Sequence, residues 1–239
     1  MSIPLGFSLL DAFALLFFLS VWIGFETLPY RSKMKNRSIS HLMAEHRHLW
    51  MQNMLRREQQ AFDALVQSSL TQGIGFFAST SILVIGGLFA ALGASEQAID
   101  LLSDFPLTVD TTRVQWEFKI LLLIGTFAFA FFKFAWSIRL FNYVAILIGA
   151  TPYNCGDERV LDDYAKRLGE LHALGGRHFT TGINAYFFSL AATAWFINPW
   201  AFICATIWLA LVLYRRTFHS NFARILSGRL YPEDNKDQE

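Results

Sequence analysis

Residues 73–94 read GIGFFASTSILVIGGLFAALGA, without one charged side chain. A hydrocarbon core about 30 Å thick is crossed by about 20 apolar residues in a helix. Inside it every backbone amide and carbonyl must be bonded within the protein. This run therefore predicts a membrane-spanning helix. Three other apolar regions support the reading: 5–28, interrupted only by Asp11 and Glu26, then 117–150 and 178–214. The composition fits, because 16% of residues are charged where soluble domains have about 25%. A net charge of +1 leaves no basic footprint for nucleic acid. Cys155 and Cys204 stand in unrelated contexts and form no disulfide framework. No Lys or Arg precedes Arg31, so the first apolar run reads as a retained helix and not as a signal peptide.

The fold class expected is all-α: a polytopic bundle in one domain over 1–216, with five spans at 5–28, 73–94, 118–137, 178–197 and 200–214. The third apolar region is too long for one span, so the chain is expected to cross by Ser137 and run on as an interfacial helix. A single helix over 178–214 would overshoot the bilayer by about 25 Å. Asn198-Pro199 near its centre is a turn signal. A tight hairpin there gives five spans; one long kinked helix gives the alternative of four. Lys and Arg gather on cytoplasmic segments close to span ends. They are dense in 31–57, 139–177 and 215–236, and sparse in 95–116, where Arg113 faces Glu96, Asp100, Asp104 and Asp110. Five spans place all three basic segments on one side. That predicts an inner or plasma membrane protein with its N-terminus outside and its C-terminus in the cytoplasm.

Two cytoplasmic stretches have helical periodicity. In 39–56, Ile39, Leu42, Met43, His46, Leu49, Trp50 and Met54 share a face, with Arg47, Arg56 and Arg57 beside them. This predicts an amphipathic helix on the inner surface or docked on the bundle. In 157–174, Val160, Leu161, Tyr164, Leu168 and Leu171 do the same, and Gly175-Gly176 is expected to break or hinge that helix before the next span. The polar tail at 217–239 is cytoplasmic, and its end, YPEDNKDQE, reads as disordered.

Three stretches, FFASTSILVIGGLFAALGA (76–94), FKFAWSIRLFNYVAILIGATP (132–152) and GRHF (176–179), resemble the bacterial and plant membrane proteins grouped as domain of unknown function 599. The resemblance extends from the first span to about Arg216. It implies an integral membrane protein with several spans. It implies no activity and assigns no catalytic residue.

The residues themselves offer three sets of candidates. Lys133 lies among Phe131, Phe132, Phe134 and Trp136. Lys119, Thr126, Lys133 and Ser137 recur at seven- and four-residue steps, which puts them on one face of the third span. Ionisable groups in a span face the bundle interior and pair, and they mark ion or substrate paths. Glu26, at the inner end of the first span, is the expected partner of Lys133 or Arg139. The competing reading is a structural ion pair or a snorkelling lysine. Asp11 is paired or sits by the outer headgroups. The second span carries small residues in ridges: Gly86, Ala90 and Ala94, then Gly75, Ser79 and Gly87. Such ridges allow close helix approach, in the bundle centre or in an oligomer. His41, Glu45 and His48 share the polar face of the first amphipathic helix and could ligate a metal, although a di-iron site would need a second Glu-x-x-His pair. No nucleotide loop, nucleophile elbow or Cys-x-x-Cys occurs. No cofactor is expected beyond that possible metal. The leading expectation is a non-enzymatic protein that associates with itself or with another membrane protein in the lipid bilayer. A small channel or transporter and a membrane metalloenzyme are the alternatives.

Overall fold

The computed structural model describes residues 6–31, 39–57, 59–103, 112–151 and 157–218, and among them there is no strand. Among the described residues seven helices follow in order: α1 Leu9–Arg31, α2 Ile39–Leu55, α3 Ala61–Gly93, α4 Ser95–Ser103, α5 Arg113–Gly149, α6 Glu158–Thr193 and α7 Pro199–Phe218. A 3-10 turn, Ala194–Phe196, separates the last two.

Four helices are long and apolar enough to cross a membrane, over Leu9–Thr27, Ala61–Gly93, Arg113–Gly149 and Pro199–Thr217. The polar first half of α6 keeps it out of that set, while its second half packs among the others. Three helices outreach a bilayer: α3, α5 and α6 have 33, 37 and 36 residues, which is about 50–55 Å each. α5 is the central one, flanked by α6 and α3. α1 and α7 cover only the apolar part, and α2 packs against the protruding part of α6.

The beginning of α5 follows from its sequence. The Thr112 hydroxyl accepts from the Gln115 backbone, and the Gln115 side chain returns to the Thr112 backbone. This reciprocal cap satisfies two amides that the first turn leaves open. The Gln115 amide nitrogen also donates to the Gly6 carbonyl at 2.6 Å, which places the starts of α1 and α5 at the same end. Phe7 meets Phe118 and Trp195 there, with ring centroids 5.3 and 5.9 Å apart.

Four expectations need correction. α5 does not turn onto a membrane surface after Ser137; it continues straight to Gly149 because Phe141, Val144 and Ile148 have buried partners. α3 starts at Ala61, twelve residues ahead of Gly73, because Asp63, Gln67 and Ile74 continue the buried face of its apolar half. The helix over 157–174 is not separate, and Gly175-Gly176 neither breaks nor hinges it. Both glycines are inside α6, where a side chain would collide with Phe141 and Arg47 respectively. A missing Cβ admits a neighbour here; it does not release the backbone. The long kinked helix over 178–214 does not form. The Asn198 side chain caps α7 through the Ala201 amide at 2.7 Å, and the Arg216 guanidinium sits 5.9 Å from the Phe187 ring. That contact requires α7 to run back along α6.

Candidate functional site

The polar groups fall into two sets at different levels. The first is the stripe on α5 in the apolar layer. Lys119, Thr126 and Ser137 are buried on its inner face, while Lys133 sits half-buried at the edge of that face. Each group has its own local contact. The Lys119 ammonium lies 5.8 Å from the Trp195 ring centroid and 5.9 Å from that of Phe196, in the field of Asp11. Asp11 itself accepts from Ser8 and from the Trp195 indole at 2.9 Å, tying the start of α1 to the turn before α7. Thr126 donates to the Leu123 carbonyl. Ser137 donates to the Gly175 carbonyl at 2.7 Å, which fixes α5 to α6.

Glu26 is not in direct contact with either expected cation. Its two oxygens accept from Thr181 at 2.8 Å and from the Asn184 amide at 3.4 Å. Lys133 acts on it electrostatically, and the Lys133 ammonium lies 5.0 Å from the Phe129 ring. The Arg139 side chain turns away from Glu26. It donates from Nε to the Tyr143 hydroxyl at 2.6 Å and lies between the rings of Trp136 and Tyr143.

The second set lies where α2, α3, α5 and α6 protrude together, and sequence reasoning missed it. Asp63 is fully buried and accepts from the Trp50 indole at 2.6 Å and from Arg57 at 2.9 Å. One turn on, the Gln67 amide nitrogen donates to the Phe141 carbonyl. Its oxygen is then left to accept from His172 Nε2 at 3.1 Å. This assigns the His172 proton to Nε2 and leaves the lone pair on Nδ1, which is buried without a partner. Burial, and then the nearby Arg47 charge, push the His172 pKa down to about 3. Burial also lowers that of Arg47, and no described residue pairs with its guanidinium. Trp50 and Phe141 enclose the imidazole, at centroid distances of 5.2 and 4.7 Å. The signal was present in the sequence: Asp63, Gln67 and Ile74 share one face of α3. An apparent span boundary at Gly73 hid it.

The proposed metal residues diverge. His41 and Glu45 pair at 3.6 Å one turn apart. His48 turns toward Gly169 and borders a shallow cleft with Gln52, Asp162, Asp163 and Lys166. Among the described residues, no group of three or more His, Cys, Asp or Glu could hold a metal.

The small residues of α3 face outward. Added side-chain carbons at Gly73, Gly75, Gly86, Gly87 and Gly93 would meet nothing within 4 Å. Ser79 and Ala90 are exposed as well, and Ala94 is half-exposed. In the apolar half of α3 the positions that pack in the bundle are instead Ile74, Ala78 and Ser81.

Apolar helices of this length around an aromatic core define an all-helical, multi-pass membrane protein. The chain belongs to the family described as protein of unknown function, DUF599, which matches residues 13–222. No curated protein and no solved structure matches it.

Proposed function

We propose that this is a non-enzymatic membrane protein that works as a self-assembled oligomer, with α3 as the contact helix. The observation that carries this reading is the outward ridge of Gly75, Ser79, Gly86 and Ala90, which no other helix covers among the described residues. Helices in lipid gain no hydrophobic energy by associating, so close backbone approach along small residues supplies the attraction. In this reading the chain crosses five times, the apolar half of α6 being the fifth span. Its basic end then faces the cytoplasm of a cell that holds it in the inner or plasma membrane. Native mass spectrometry of gently extracted protein tests the proposal. A mass at an integer multiple of 27.3 kDa, falling to the single-chain mass in Gly86→Ile, is expected. A single-chain mass for the wild type would overturn it, and an added mass of another protein would favour an accessory-subunit role.

A second reading, a small channel or transporter, is favoured by the Glu26, Thr181, Asn184 and Lys133 cluster at the inner edge of the apolar layer. It requires an ion current across planar bilayers that changes in Lys133→Met. Silence of the wild type under all gradients would remove it.

A further inference from the structure

The two levels of the molecule treat their cations differently. In the protruding part three arginines at the surface find acids: Arg56 with Asp162, Arg57 with Asp63 and Arg167 with Asp163. At the junction with the apolar layer, Lys133 and Arg139 form no ion pair within 4 Å among the described residues, although both can be reached from outside. Arg139 is exposed and held in advance. Its Nε is used by Tyr143, and the rings of Trp136 and Tyr143 lie 5.7 and 5.6 Å from its central carbon. This contact leaves both terminal nitrogens as donors for an incoming anion. Trp136 in turn meets His178 of α6 at 6.4 Å, and Lys133 and Arg177 both act on that imidazole. The carboxylate that feels Lys133, Glu26, is bonded instead to Thr181 and Asn184 of α6. Trp136 is 46% exposed and Tyr143 40%, and one to two turns deeper into the apolar layer Phe132 and Phe129 are 68% and 36% exposed on the same face. A bilayer interface supplies what such a surface lacks: a phosphate at the level of the cations and acyl chains along the phenylalanines. Tryptophan and tyrosine belong at that depth, and basic pockets between helices at this level suit anionic headgroups.

We propose that the face of α5 beside α6 formed by Lys133, Trp136, Arg139, Tyr143 and His178 seats one anionic phospholipid. Its phosphate lies on the Arg139 fork and its chains on Phe129 and Phe132. An arginine so held binds a phosphate by two parallel hydrogen bonds, which a lysine cannot do.

The test uses the full chain in phosphatidylcholine vesicles with trace spin-labelled lipid, and electron spin resonance reads the fraction held at the protein surface. Wild type is expected to hold spin-labelled phosphatidylglycerol over spin-labelled phosphatidylcholine. Arg139→Gln and Lys133→Gln are each expected to reduce that preference by about fivefold, and the double variant further. Arg139→Lys keeps the charge but loses the fork, so it should fall between. Arg139 is exposed, and unchanged helicity by circular dichroism certifies each variant. Equal retention of the two lipids by wild type, or an undiminished preference in the double variant, would overturn the site. Loss of the preference to millimolar inorganic phosphate at constant ionic strength would also overturn it, in favour of a soluble anion. Gly86→Ile should leave the preference intact, so the site and the α3 assembly fail or succeed separately.

Discussion

The apolar layer and the protruding bundle are built from the same three long helices but are held together by different forces. In the layer, Phe18, Trp22, Phe188, Trp195 and Phe202 interlock, with ring centroids 5.0 to 5.9 Å apart. Around them the lipid-facing side chains are also large and apolar, including Leu16, Leu83 and Leu211. Lipid tails are as apolar as leucine, so burial there gains contact and shape but no release of water. In the protruding part, Met51, Met54, Val144, Ile148, Ala165 and Leu168 form a core that water does drive together. Buried polar groups at its edge are paired with one another: Asp63 with Trp50 and Arg57, and Gln67 with His172. Glycine has a different role in each region as well. On α3 it faces outward. On α6, Gly169, Gly175 and Gly176 admit His48, Phe141 and Arg47 respectively. The lesson is that a residue pattern has no fixed meaning until its surroundings, lipid or protein, are known.

The sharpest break of this comparison is Asp63→Ala. It leaves the half-exposed Arg57 and the Trp50 indole without their buried acceptor, and losing such charge-assisted hydrogen bonds costs about 1–3 kcal/mol. Thermal unfolding in detergent should shift down. Unchanged melting would refute the role given to Asp63.

Next in size is a pH effect specific to the protruding bundle. An unfolded histidine takes up its proton near 6.5, whereas His172 in the fold does so at about 3. Between those values the unfolded chain binds more protons, so stability falls as the pH is lowered from about 6.5 toward 3 and is level above. The slope contributed is at most about 1.4 kcal/mol per pH unit. Subtracting the His172→Gln melting profile from that of wild type should isolate it, and superimposable profiles would disprove it. The smallest effect belongs to the apolar layer: Leu211→Ala on the lipid-facing side should stay within about 0.5 kcal/mol. A large loss there would mean that this face of α7 is covered by protein.

Much of the architecture could be read from the chain. The run without charge at 73–94, the turn at Asn198-Pro199 and the aromatic surroundings of Lys133 all have the local setting that their patterns suggested. Lys133 acts on Glu26 only electrostatically, and Thr181 and Asn184, not the lysine, hold the carboxylate. The misreadings have one origin. Hydropathy marks where a helix enters lipid, not where it ends, so α3, α5 and α6 were each cut at a boundary of solvent. The His172 site escaped notice for the same reason: Gln67, Phe141 and His172 belong to three helices and are separated by 74 and 31 positions in the chain.

The sequence by itself determined that the protein is helical and membrane-bound, because a backbone in hydrocarbon has no water to bond to and must satisfy itself within each segment. That requirement is local, so it is written in consecutive residues. Only the tertiary structure decided which groups face one another: that α2 docks over Gly169 and Gly176, that Ser137 meets Gly175, and that no described residue covers the glycines of α3. Those outcomes depend on side-chain shape across helices far apart in the chain, and no local periodicity records them.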